Sequence, residues 1–277
     1  MDLTKFGIWS APAALGEANL AEAAQLTEQL GFGALWLGGS VQLRELRPVL
    51  KATNRLVLAT GIVNVWQYEP AQLAAEFHEL DDDFPARLLL GIGIGHPEHA
   101  TEYQRPLMKM RSFFDGLAAA GRPVPREQLV AAALGPKMLE LSFERGLGAH
   151  PYFTPVEHTR FARQLLGPEA LIAPEVAVAI GEDPERNRAA AREYAAFYLG
   201  LNNYVANLRR LGWGDEDLAD GGSERLLNAL VSQGSAAQVA ELVKAHLEAG
   251  ADHVCIQTVG VQGVPVSEWT ELAKVLI

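Results

Sequence analysis

At 277 residues, with 49% hydrophobic and 21% charged side chains, the chain has the composition of a globular α/β protein with room for a large core. A net charge of −11 argues against a general nucleic-acid surface, and the single Cys255, without any C-x-x-C spacing, excludes an intrachain disulfide and gives no sign of structural zinc. No apolar run approaches the roughly 20 residues that a membrane span needs, and the N-terminus shows no signal-peptide pattern, so a cytoplasmic location is expected.

Phe6-Gly7-Ile8-Trp9 reads as a first strand. Residues 17–30 read as a helix with Leu20, Ala23, Ala24, Thr27 and Leu30 on one face, closed by Gly31. A strand over 33–37, a helix over 41–52 and a strand over 56–62 follow. Pro70 suits the first turn of the next helix, where Leu73, Phe77 and Leu80 recur at helical spacing. The fourth strand starts at Leu88, and a helix is expected over 102–120. Strands over 129–133, 148–152 and 175–180 alternate with helices over 136–145 and 155–166. Residues 184–230 read as helical with Gly-rich breaks, too long for one crossover. Gly234-Ser235 then caps a helix, followed by a strand over 252–257 and a last helix after Pro265.

Eight strands, each followed by helix, are the count and order of a (β/α)8 TIM barrel. The expected fold is therefore α/β, one domain over 1–277, with a helical insertion at about 184–230 before the last strand. Ligands of such barrels gather at the C-terminal strand ends. The segments to inspect are Trp9-Ser10, Gly38-Gly39-Ser40, Asn64-Val65-Trp66, Gly95-His96, Leu134-Gly135-Pro136-Lys137, His150-Pro151-Tyr152, Gly181-Glu182 and Gln257-Thr258.

The fourth strand, Leu88-Leu89-Leu90-Gly91-Ile92-Gly93-Ile94-Gly95-His96, places glycine on every second residue, which bares one face of the strand. That face suits either a flat ligand or close backbone packing inside the barrel. Gly61, late in the third strand, marks a bulge or a close approach. Gly135-Pro136-Lys137 opens a helix whose first turn can hold a phosphate, or it merely starts the helix.

His96 and His150 stand at strand ends where a histidine can exchange protons, while His78, His99, His158, His246 and His253 lie on helices or within strands. Trp9, Trp66 and Tyr152 suit an aromatic wall or the core. Cys255 reads as a core thiol rather than a nucleophile, and Asp81-Asp82-Asp83 as a solvated turn rather than a metal site. No Ser-His-Asp or G-x-S-x-G arrangement offers a hydrolase nucleophile.

Taken together the strand ends resemble the luciferase-like flavin- and deazaflavin-dependent oxidoreductase family. The resemblance is carried by Gly33-Ala34-Leu35-Trp36-Leu37-Gly38, Ala59-Thr60-Gly61-Ile62-Val63-Asn64, residues 87–96, residues 132–141, Gly148-Ala149-His150-Pro151-Tyr152 and Gly250-Ala251-Asp252-His253-Val254. The run over 132–141 with that over 90–96 resembles the actinobacterial branch that uses the deazaflavin coenzyme F-420.

The resemblance implies a homodimeric barrel with an insertion, binding a small-molecule substrate and a tricyclic ring at its mouth and passing hydride between them. It implies a cofactor site of Trp9, Gly38, Gly39, Thr60, Gly61, Ile62, Val63, Asn64, Gly93, Gly95, His96, Leu134, Gly135, Pro136, Lys137, Met138 and His150. Within it, a cis peptide at Gly61-Ile62 would press on the ring and residues 135–138 would meet the phosphate. Where several relatives carry an acidic residue and a histidine base after the second strand, this chain has Gly38-Gly39-Ser40, leaving His96 or His150 as the replacement, or solvent as the proton source. The alternatives are an FMN-dependent luciferase-like monooxygenase with a reductase partner, or a non-catalytic flavin-binding protein. Basic residues such as Arg160 and Arg163 would matter for the oligoglutamate tail of the deazaflavin and not for FMN. The substrate side of the pocket falls to residues 97–106 and 202–223.

Overall fold

The computed structural model describes residues 1–96 and 105–277. His99, most of the 97–106 loop and the expected helix start at 102 lie outside the described residues.

In chain order the first half contains β1 (Phe6–Ser10), α1 (Pro12–Leu15), α2 (Leu20–Gln29), β2 (Ala34–Leu37), α3 (Arg47–Lys51), β3 (Val57–Thr60), β4 (Val63–Asn64), α4 (Pro70–Asp81), β5 (Leu88–Gly93) and α5 (Pro106–Ala118). It continues with β6 (Leu129–Ala131), α6 (Pro136–Arg145), β7 (Gly148–Ala149), α7 (Val156–Leu166), β8 (Leu171–Ile172) and β9 (Glu175–Ile180). The insertion follows as α8 (Pro184–Leu199), α9 (Asn202–Arg210), α10 (Asp215–Leu218), α11 (Glu224–Leu230) and β10 (Val231–Gly234). The chain then finishes with α12 (Ala236–Glu248), β11 (Val254–Thr258) and α13 (Val266–Leu276).

All pairings are parallel, and the sheet curls through β11, β1, β2, β3, β5, β6 and β7. Residues 171–180 return it to its start. Ala173 and Glu175 donate to the carbonyls of Ala149 and Pro151 on one side, while Cys255 donates to Pro174 on the other and β9 runs in register with β11. Where the β7 segment ends, β10 takes over the vacated edge of β9, pairing Val231 to Ala177 and Gly234 to Ile180. This extra strand was not legible in the sequence, because Val231-Ser232-Gln233-Gly234 carries no alternation. No helix among the described residues is long and apolar enough to cross a membrane.

Side-chain alternation assigns the two faces. Trp9, Ala34, Trp36, Val57, Ala59, Leu89, Val130, Ala173 and Cys255 pack inside the barrel. Ile8, Leu35, Leu37, Leu58, Leu88, Leu90 and Ile92 face the helices. The insertion carries a core of its own, with Leu201, Tyr204, Leu208, Leu226 and Leu227 packed on Ala177, Ala179 and Val231. Its helices begin at real caps: Asp183 accepts from the Glu185 and Arg186 amides, and Ser235 with Gln238 forms a capping box ahead of α12.

The glycines of β5 do bare one face, and the neighbouring chain fills it. The pairing of β3 with β5 runs from Ala59 opposite Leu89 and resumes at Val63 opposite Ile92, so the β3 side carries one residue too many. The resulting bulge presses into the glycine face: a Cβ at Gly91 would meet the Thr60 carbonyl, one at Gly93 the Ile62 side chain and one at Gly95 the Asn64 amide. Close backbone packing is therefore the use of this ladder. Thr60 ties it down, its Oγ1 donating to Gly91 O at 2.7 Å and accepting from Gly91 N at 2.8 Å. Thr60→Val strands both buried groups and is expected to lower the unfolding free energy by roughly 2–4 kcal/mol in urea denaturation.

Candidate active site

The bulge projects into a cavity of about 560 Å³ at the C-terminal end of the barrel. Of the residues the resemblance implied for a cofactor, Trp9, Gly39, Gly61, Ile62, Asn64, Gly95, His96, Leu134, Gly135, Met138 and His150 are brought together in its lining. The others named with them lie elsewhere for identifiable reasons. Gly38 backs onto the Trp9 ring, Thr60 and Val63 are buried in the bulge and core, Gly93 lies under Ile62, and Pro136 and Lys137 are exposed beyond the wall. The Gly61-Ile62 peptide is cis, at the position the family resemblance implied.

His150 is completely buried and stacks on Trp36, with ring centres 4.3 Å apart. Its Nδ1 lies 2.7 Å from the Ala173 carbonyl, which can only accept, so Nδ1 carries the proton and Nε2 is a bare acceptor. Burial pushes the imidazole down to about 4, keeping it neutral at physiological pH. Below it, Trp36 Nε1 donates to His253 Nε2, and His253 Nδ1 donates to Thr4 O, a column that fixes Trp36 and therefore His150. His150 Nε2 and Trp9 Nε1 are both buried without a hydrogen-bond partner. Both converge on Gly61, where an added Cβ would sit 2.6 Å from Trp9 Nε1 and 3.2 Å from His150 Nε2. One donor and one acceptor are thus held bare against the bulge.

His96 is placed differently. Its Nδ1 lies 3.0 Å from Asn203 Oδ1 and its ring packs against Tyr204, so the insertion holds it over the cavity. Trp66 is not in the wall; its Nε1 donates to Ile94 O while Lys109 covers its ring. Ser40, which follows the second strand, donates to Gln67 and receives the Asn64 amide, supporting the bulge.

Several cavity positions were not singled out from the sequence, although Tyr204 and Arg210 lie in the 202–223 segment assigned to the substrate side. Tyr198 and Tyr204 come from the insertion, joining Tyr152 in the wall. The i, i+4 pair Tyr194 and Tyr198 on α8 was the one local signal for them. Arg210 reaches over the start of α6, its Nη2 3.5 Å from a Cβ placed on Gly135, while its Nη1 donates to Asn207 Oδ1. His158 donates to the Leu134 carbonyl and pins that strand end, so Gly135 and the first turn of α6 are held beside a cation. Arg163, by contrast, donates to the Gly250, Gly167 and Ala170 carbonyls and pairs with Asp252, which commits four of its five N–H groups. Asp82 and Asp83 pair with Arg122 and Arg47, and among the described residues no cluster suited to a metal ion occurs.

The N-terminal strands, the bulge and the start of α5 carry a family signature. Residues 2–110 match the luciferase-like monooxygenase family. Solved structures of similar shape extend the likeness in fold over the whole length of the chain. An F-420-dependent secondary alcohol dehydrogenase in complex with an F-420-acetone adduct aligns at TM-score 0.78 and 14% identity, covering 99% of this chain and 98% of the other. The coenzyme F-420-dependent tetrahydromethanopterin reductase of Methanopyrus kandleri aligns at 0.73 and 16%, covering 99% and 98%. The oxygenating constituent of 3,6-diketocamphane monooxygenase from Pseudomonas putida, in complex with FMN, aligns at 0.67 and 14%, covering 99% and 97%. At such identities the likeness establishes the fold, a TIM barrel.

Proposed function

We propose that this luciferase-like protein is an oxidoreductase that passes hydride between a deazaflavin coenzyme and a small organic substrate. The observation that carries the reading is the cavity at the bulge with Trp9 Nε1 and His150 Nε2 buried, bare and convergent at Gly61. Orphaned buried polar atoms are costly, and a ligand bearing an acceptor beside a donor relieves both. The residues fit a planar ring with a phosphate-bearing tail: Gly61, Ile62 and Trp9 wall the ring, and the first turn of α6 with Arg210 holds the phosphate. The coenzyme, when bound, supplies the hydride chemistry. Neutral His150 accepts a hydrogen bond and cannot serve as an acid at neutral pH, Trp9 donates, and the tyrosines of the insertion exclude water.

The engagement of Arg163 favours a second reading, an FMN-dependent monooxygenase, because one of the basic groups expected to serve the longer tail is committed to backbone carbonyls and Asp252. A side-by-side titration with the deazaflavin coenzyme and with FMN separates them, read by tryptophan fluorescence because Trp9 lines the cavity. Preference for the deazaflavin supports the proposal, preference for FMN moves it to oxygen chemistry, and binding of neither overturns both. Arg210→Gln is expected to weaken either phosphate-bearing ligand by roughly tenfold while leaving riboflavin, which lacks the phosphate, unaffected.

A further inference from the structure

We infer that Glu175, Tyr194, Tyr152 and Tyr198 form a proton store and relay that serves the cavity, an inference that rests on the hydride-transfer reading for its purpose. Tyr152 and Tyr198 line the cavity, and their hydroxyls are 2.8 Å apart. Tyr152 also donates to Gln257 Oε1 at 2.6 Å, and its hydroxyl neighbours that of Tyr194. The Tyr194 hydroxyl donates to Glu175 Oε1 at 3.0 Å, and Glu175 Oε2 accepts from the Phe153 amide at 3.2 Å. The hydroxyls therefore mark a path from a carboxyl inside the barrel to the ligand space, in which the step from Tyr194 to Tyr152 is closed by a hydroxyl movement rather than by a standing hydrogen bond.

Glu175 is fully buried, and no ion pair of the described residues includes it. The groups facing it are Tyr152 beyond β7, Tyr194 and Tyr198 on α8, Tyr204 on α9, and Cys255 on β11. None of them is a cation. Burial accordingly raises the carboxyl to about 8, so it holds a proton at neutral pH. The phenols are raised as well, Tyr198 to about 12, which keeps the chain of hydroxyls protonated. A glutamine would satisfy the same hydrogen bonds without a movable proton, so the carboxyl supplies what an amide lacks.

A bound deazaflavin would supply hydride in the reducing direction, and a polarised C=O or C=N substrate that took it at carbon would carry the electron pair on its heteroatom and need a proton there. That atom takes a proton from the Tyr198 or Tyr152 hydroxyl. Each phenolic oxygen is reprotonated by its neighbour, and the last proton leaves Glu175. The two electrons would come from the coenzyme and go to the substrate, and the carboxylate recovers its proton from water through the same hydroxyls once the product departs. Neither His150, kept neutral with its bare nitrogen an acceptor, nor Ser40 at the end of the second strand supplies that proton.

Infrared difference spectroscopy on the whole, ligand-free protein tests the store, using the C=O stretch of a protonated carboxyl. The wild type should show at pH 7 a band that titrates near the raised value and is lost in Glu175→Gln. Transfer into D2O tests the relay: the band should exchange rapidly in the wild type. In Tyr194→Phe, and separately in the milder Tyr198→Phe with Tyr152→Phe, exchange must wait for local opening and slow by roughly tenfold or more. An ionised carboxyl at pH 7, or exchange unchanged in the correctly folded tyrosine variants, overturns the inference. These measurements need no cofactor, so they separate its failure from that of the hydride reading.

Discussion

Gly91→Ala is expected to be the most damaging single methyl addition in the barrel. Its Cβ would lie 1.9 Å from the Thr60 carbonyl oxygen, a contact that no rotamer can relieve because both sides are backbone. Thr60 cannot retreat, since its hydroxyl is hydrogen-bonded to Gly91 N and O and its neighbours enter the cavity wall. Overpacking in a core costs about 1–3 kcal/mol when side chains can shift, and more when they cannot. A loss above about 3 kcal/mol would remove a large part of a typical domain's stability. Urea denaturation decides it, with Gly121→Ala as the control. No atom lies within 4 Å of a Cβ there, and a change of no more than about 0.5 kcal/mol is expected. Equal midpoints for the two variants would refute the account of the bulge.

Acid should destabilise the protein steeply, and well above the pH at which its carboxylates titrate. His150, His158 and His253 are pushed by burial to about 4 and His246 to about 3, from an ordinary 6.5. Between 6.5 and these values the unfolded chain binds protons that the folded chain refuses, so stability is fully present above about 6.5 and falls with pH below it. Each imidazole contributes at most about 1.4 kcal/mol per pH unit, and four together about 5.

Glu175 acts with the opposite sign: its carboxyl is raised from 4.5 to about 8, so its share is lost as pH rises through that window. One carboxyl against four imidazoles loses below about pH 7, where the unfolded imidazoles still bind more than one proton between them, and prevails only above it. Chemical denaturation from pH 4.5 to 9 should therefore give a maximum near 7, a steep acid limb and a shallow alkaline one. A flat profile between 5 and 7 would show that the imidazoles are not excluded from protonation.

Strand and helix order was legible because alternation and helical spacing are written into consecutive residues. The bounds of α6 (Pro136–Arg145), β9 (Glu175–Ile180) and α13 (Val266–Leu276) follow directly from Pro136, from Val alternating with Ala, and from Pro265. The same local logic placed Trp9, Gly61, Asn64, His96, Gly135 and His150 at strand ends, and these do meet in one cavity. It also identified the bare face of the β5 glycines, but not its occupant, because Thr60 and Ile62 approach from another strand through a bulge whose extra residue shows only in the pairing.

Tyr198 was out of reach, and Tyr204 and Arg210 were placed no more finely than the 202–223 segment, for a related reason. An insertion's sequence specifies its helices, whereas where those helices settle depends on burying Leu201, Tyr204 and Leu208 against Ala177 and Ala179 of the barrel. Likewise, the histidine sequence positions were plain, but the tautomer and neutrality of His150 depend on the Ala173 carbonyl and on Trp36, partners that only folding brings to it. The sequence by itself determined most of the elements, though not β10, together with their order and the end of the barrel at which the cavity opens. Tertiary structure decided which groups face the cavity and in what protonation state, because burial and hydrogen bonding arise from contacts between residues far apart in the chain.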